Sequence, residues 1–152
     1  MTAETGFGIF FCMLLALPAI EDIRRGLISD WETMLLAAFG VLRWLFWGRA
    51  EDLAAAGIVF LFFGFLYKAV RGAMGSGDVW LAGAIALWLS PVSSAVFVWL
   101  SFTMGGLFGM FLLLFHVKQW RDGVPFAPFL CLSGGVSYFW GESLWDAWLL
   151  FF

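Results

Sequence analysis

The stretch Met74-Gly75-Ser76-Gly77-Asp78-Val79-Trp80-Leu81 sets one carboxylate behind two glycines and ahead of an apolar run. The surrounding chain is so apolar that a carboxylate there needs a reason. Of 152 residues, 63% are hydrophobic and only 12% charged, with 19 Phe and 10 Trp. A soluble domain carries roughly 25% charged residues, so this is a membrane composition. The expected fold is an all-α integral membrane protein. About six transmembrane helices form one bundle, a single membrane-embedded domain over 1–152. A net charge of −3 argues against a nucleic-acid partner, which wants a basic face, and the high apolar content excludes disorder.

A spanning helix needs about 20 mostly apolar residues. Such runs place helices near Gly6–Glu21, Trp31–Trp47, Leu53–Val70, Met74–Leu89, Pro91–His116 and Pro125–Trp140. The first run is not a secretory signal. Met1–Gly6 has no basic residue and contains Glu4, while Arg24 and Arg25 follow the run. With the N-terminus outside, the inner connections carry Arg24, Arg25, Lys68, Arg71, Lys118 and Arg121, and the outer ones only Arg43 and Arg49. Six against two satisfies the positive-inside rule and puts both termini outside. Trp44, Trp47, Trp88 and Trp140 near the outer ends, with Trp31 and Trp120 near the inner ones, read as two aromatic belts. Gly105 and Gly109 have the GxxxG spacing of close helix packing. Residues 141–152 change character. Leu144, Trp145, Trp148, Leu149 and Phe152 oppose Glu142 and Asp146, which predicts an amphipathic tail on the outer interface.

Cys12 and Cys131 sit in apolar runs without metal or redox spacing and read as structural thiols. With one histidine, His116, and no CxxC or HExxH, the sequence excludes most zinc, Ser-His and Cys-His chemistry built from one chain, and no metal or cofactor is expected. His116 reads as an interfacial side chain.

Most acids fall in connections. Glu51, Asp52, Glu142 and Asp146 are outer and Asp122 inner. Asp30 reads as an N-cap, and Glu32 sits in the same first turn, where acids suit the helix dipole. Glu21, Asp22 and Asp78 remain. Val79–Leu89 is 11 residues, only about 16 Å of helix against about 30 Å of hydrocarbon. Extending the fourth helix back to Gly72 gives about 28 Å and sinks Asp78 more than a turn below the inner surface. The first helix is likewise short without Glu21 and Asp22, so Asp22 and Asp78 fall at similar depth on one side. An acid inside a membrane helix costs roughly 2.5–3.5 kcal/mol on insertion scales. Glu21 has Arg25 four residues on, in the favourable order; Asp22 is about 100° further around the helix. Pro18 can kink the helix one turn before Asp22. Gly75 and Gly77 permit close backbone approach and unusual dihedrals. Alone, Asp78 is open to reading as a helix cap and Asp22 as an interfacial acid; together they read as a pair.

Asp22-Ile23-Arg24-Arg25-Gly26-Leu27-Ile28-Ser29-Asp30 resembles the first aspartate motif of type IV prepilin peptidases, in which basic residues and an Ile-Pro-Asn or Ile-Pro-Asp segment follow the Asp. Gly75-Ser76-Gly77-Asp78 resembles the second, the GxGD of this class of membrane aspartyl proteases. Val124-Pro125-Phe126-Ala127-Pro128-Phe129 resembles the Pro-Phe-Gly-Pro segment opening the last helix. The three stand in family order over nearly the whole chain. Ser29 departs from the usual Pro, Trp80 from a frequent Lys, and Ala127 from the usual Gly. Full-length bacterial members add an N-terminal cytoplasmic region with paired CxxC motifs and a methyltransferase activity; this sequence has neither that region nor those cysteines, so a short form is expected and methylation is not.

The resemblance implies a membrane aspartic endopeptidase of the cell inner (plasma) membrane. It would cleave the leader of type IV prepilins or pseudopilins at the cytoplasmic face, with Asp22 and Asp78 catalytic and Gly75, Gly77, Pro125, Phe126 and Pro128 shaping the site. No metal or cofactor is implied, and the partners are the substrate and membrane lipid. Two adjacent carboxylates share a proton, one serving as base to a water and the other as acid. The alternatives are a small proton-coupled transporter, since intramembrane acids also relay protons, and a catalytically silent subunit of a pilus or secretion assembly. Against the transporter, no acid continues the path outward.

Overall fold

The computed structural model describes residues 3–69, 74–115 and 125–150. Val70, Arg71, His116, Lys118, Trp120, Arg121, Asp122, Val124 and Phe152 therefore lie outside the described residues. Among those described, the chain forms six helices and no strand: α1 (Ala3–Arg25), α2 (Asp30–Trp47), α3 (Ala50–Ala69), α4 (Ser76–Ala86), α5 (Pro91–Leu114) and α6 (Ala127–Leu149). Each apolar run has become one helix, in the expected order.

Three helices are long and apolar enough to cross a membrane, over Thr5–Arg25, Ala50–Ala69 and Pro91–Leu112. The other three fall short for different reasons. α2 carries Asp30, Glu32 and Arg43. α4 has only 11 residues. α6 dilutes its apolar residues with serines, glycines, Glu142 and Asp146. Large apolar side chains point outward all along α1, α3 and α5, among them Met13, Ile58, Leu61, Phe65 and Leu107. An outer surface of that kind suits lipid and would be an aggregation liability in water.

The short helix is the centre of the bundle. α4 packs against α2, α3 and α6, while α1 bridges α2 to α6 and α5 bridges α6 to α3. From Val79 to Ala86 every α4 residue except Trp80 is buried. A helix apolar all round is a core helix, and its small residues let neighbours come close. A Cβ on Gly134 of α6 would lie 2.8 Å from the Ile85 side chain, and one on Gly83 would lie 2.9 Å from Phe60 of α3. Where hydrophobic surface faces lipid and helix alike, such close packing and interhelical hydrogen bonds hold the bundle. Ser101 of α5 and Ser133 of α6, both buried, make one of those bonds.

Several sequence expectations are corrected. α1 continues to Arg25, so Asp22 lies in its last turn. α4 does not reach back over Met74 and Gly75. Gly75 is its N-cap and Asp78 sits in its first turn, because Gly-Ser-Gly is a poor helical sequence. The N-cap of α2 is Ser29, not Asp30. Trp88 belongs to no belt: it is buried, stacks on Phe11 at 4.8 Å between ring centroids, and donates its indole N–H to Leu36 O at 3.0 Å. A buried Trp needs such an acceptor. Helix α6 runs on past Trp140 to Leu149.

Candidate active site

Asp22 comes from the last turn of α1 and Asp78 from the first turn of α4. Both are buried, each 7% exposed, and the two lie within electrostatic range of one another. No hydrogen bond joins them directly among the described residues; each is held by a backbone N–H instead. Asp78 Oδ2 accepts the N–H of Gly75 at 3.1 Å, and the Asp78 N–H returns to Gly75 O at 3.2 Å. This reciprocal pairing ties the carboxyl group to the turn that begins the helix. Asp22 Oδ2 accepts the N–H of Ala127, the first residue of α6, at 3.1 Å.

The Pro125-Phe126-Ala127-Pro128 segment explains that second bond. A helix begins with N–H groups that have no partner one turn back. Here Pro128 has no N–H, and the N–H groups of Phe129 and Leu130 turn back to Phe126 O at 3.0 and 3.2 Å. Ala127 is left as the free donor, and it is fully buried. The proline in the first turn thus leaves one N–H, at the positive end of the helix dipole, for the Asp22 carboxyl group. Phe126 anchors the turn by packing on Phe102, 5.8 Å between centroids, and by filling the space over Gly105 of α5. Gly105 is therefore needed for a ring. Gly109 has nothing within 4 Å, so the GxxxG pair does not act as one packing motif.

The site-shaping glycines divide as well. Gly75 has ordinary extended dihedrals, φ −77° and ψ 151°, so the unusual conformation expected there is not adopted. Gly77 does serve close approach: a Cβ on it would lie 3.3 Å from Ile28, in the connection between α1 and α2. The glycine that takes a left-handed conformation is Gly26, at φ +64°, where it ends α1 and donates to Asp22 O at 2.8 Å. It supplies the reversal that a helix C-terminus commonly needs.

Sequence reasoning missed three further features. The Ala127 contact is made by a backbone group, which side-chain chemistry cannot announce. Glu32 does sit in the first turn of α2, as expected, but is buried there. Cys131 of α6 is buried within electrostatic range of Asp22, Asp78 and Glu32. A separate groove of about 850 Å³ opens between α2, α3 and α4, with Thr33, Phe60 and Trp80 among its walls. Neither Asp22 nor Asp78 lines it. No group of three or more metal-ligating side chains occurs among the described residues.

Residues 9–110 match the model of the type IV leader peptidase family. The chain belongs to this family. Its relatives include proteins named prepilin leader peptidase/N-methyltransferase. The one from Xanthomonas campestris pv. campestris is 31% identical, over 96% of this chain and 54% of its own length. That from Legionella pneumophila is 32% identical, over 93% and 55%. That from Aeromonas salmonicida is 28% identical, over 95% and 54%. The chain thus spans about half the length of these curated relatives. No solved structure gives a significant match.

Proposed function

We propose that the chain is an aspartic endopeptidase that removes the leader of type IV prepilins or pseudopilins at the cytoplasmic face of the inner membrane. One observation carries the reading. Two buried carboxyl groups from different helices, Asp22 and Asp78, lie within electrostatic range, each fastened through Oδ2 to a backbone N–H. That leaves Oδ1 of each for a water and a peptide carbonyl. The pair shares a proton; the charged member draws a proton from the water as it attacks the scissile carbonyl, and the protonated member donates to the carbonyl oxygen or the departing amine. Pro125, Phe126 and Pro128 hold Asp22 through the start of α6, and Gly75 and Gly77 shape the turn behind Asp78. In this reading all six helices cross the membrane, both termini are outside, and the end of α6 reaches the outer interface. Membership of a peptidase family disfavours the transporter and the silent subunit. Methyl transfer, the second activity in the relatives' names, is not part of the proposal.

The test is co-expression with a candidate prepilin, reading leader loss as a mobility shift. Cleavage that depends on this chain supports the proposal. Intact prepilin with the protein inserted normally would favour a silent subunit.

A further inference from the structure

Beside the aspartate pair stand two acids that peptide hydrolysis does not use. Glu32, in the first turn of α2, is 6% exposed, and its Oε2 is buried with no hydrogen-bond partner. Glu21 precedes Asp22 on α1. Its Oε1 accepts from Arg25 at 3.1 Å, while its Oε2 is also buried and unpartnered. The two carboxyl groups lie within electrostatic range of each other. Ionised carboxylates only accept hydrogen bonds. Ser29 also donates to Glu21, but Glu32 Oε2 is left without a donor, and a buried acceptor in that state is costly.

The surroundings define what would satisfy them. Arg25 serves one oxygen of Glu21 from the exposed side, with side-chain exposures of 73% for Arg25 and 18% for Glu21. One cation against two acids leaves a formal charge of −1, and Arg25 marks where the pair opens outward. Two carboxylates without a third ligating side chain are a meagre metal site, since hard cations take six or more oxygens. An ammonium or guanidinium brings several donors and one positive charge. Glu32 also shares with Asp22 and Asp78 the neighbourhood of Cys131, so a cation held there lies at the catalytic end of the bundle.

We propose that Glu21 and Glu32 form a subsite for one basic side chain, Lys or Arg, of the substrate's leader. The proposal rests on the peptidase reading, since it takes its ligand from that substrate. The subsite sets which residue of the leader is held while the scissile bond meets Asp22 and Asp78.

The experiment uses the full chain in nanodiscs of neutral phosphatidylcholine and two fluorescent synthetic leader peptides, one with its Lys residues and one with Gln in their place. Fluorescence anisotropy gives the Kd of each. Wild type binds the Lys peptide about tenfold tighter, the effect of one charge-assisted contact. Glu32→Gln abolishes that preference and leaves the Gln peptide's Kd unchanged. Glu21→Gln, read in the same way, covers the outcome in which Glu32→Gln fails to fold. Retained preference in the folded variant, or none in wild type, overturns the subsite; it would mean that the two acids merely share a proton. Cleavage of the same peptides is scored separately. Binding preference without cleavage sinks the peptidase reading and leaves the subsite standing, whereas cleavage without preference does the reverse.

Discussion

Gly105 and Gly109 lie one turn apart on α5, and the structure gives them opposite fates on substitution by alanine. At Gly105 a new Cβ would sit 2.7 Å from Cε2 and 3.2 Å from Cδ2 of the Phe126 ring. At Gly109 it would meet nothing within 4 Å. Both changes gain about 0.5–1 kcal/mol from the conformational entropy of a helical glycine, so that term cancels between them. What remains is the clash, an overpacking cost of about 1–3 kcal/mol. Gly109→Ala should therefore unfold at or above the wild-type temperature, and Gly105→Ala should fall below Gly109→Ala by that amount. The ring has little freedom to yield, because Phe126 also packs on Phe102 and Phe129. Moving it moves the N-cap of α6 and the Ala127 N–H bonded to Asp22. Cleavage by Gly105→Ala should fall even below its own unfolding temperature. Thermal unfolding in detergent, with leader cleavage on the same samples, makes the comparison. Equal stability and equal cleavage in the two variants would refute the claim that Phe126 positions the start of α6.

Two further predictions concern the frame of the site. Gly26→Ala, at φ +64°, should cost about 1 kcal/mol and lower the unfolding temperature, although a Cβ there touches nothing within 4 Å; an unchanged temperature would show that the α1–α2 reversal is not built on that conformation. Trp88→Phe deletes the N–H that reaches Leu36 O across the α2–α4 contact and should destabilise by about 1–2 kcal/mol, read by denaturant titration, with leader cleavage retained at temperatures where the variant is folded.

The helix number and order were legible because each apolar run is long and each break is marked by Gly, Ser, Pro or charge. The depth of Asp78 was not. Length arithmetic assumed that α4 must span by itself, and so pulled its start back to Gly72. The structure begins it at Ser76 and buries Asp78 by packing. That burial follows from the central place of α4, which its small residues Ala82, Gly83, Ala84 and Ala86 hinted at without declaring. Trp88 misled for a chemical reason: an indole that needs one polar partner suits a membrane interface and a buried carbonyl equally well. Glu32 falls in the first turn of α2 as expected, but its burial was not legible: first-turn acids are ordinary on an exposed helix, and nothing in the sequence says which way that turn faces. The candidate pair was visible only through the joint pattern of Asp22, the GxGD stretch and the Pro-Phe-Ala-Pro segment. Its support by Ala127 is a backbone contact between residues 105 positions apart, beyond reach of any local reading.

The most direct test of the central claim is leader cleavage by purified Asp22→Asn and Asp78→Asn proteins beside wild type, on a prepilin that wild type processes, with unfolding temperatures recorded for all three. Each substitution keeps the side-chain shape and the oxygen that accepts from Ala127 or Gly75, but removes the ability to hold or pass the shared proton. Both variants should remain folded and leave the leader intact. Processing at the wild-type rate by either folded variant would contradict the two-aspartate mechanism.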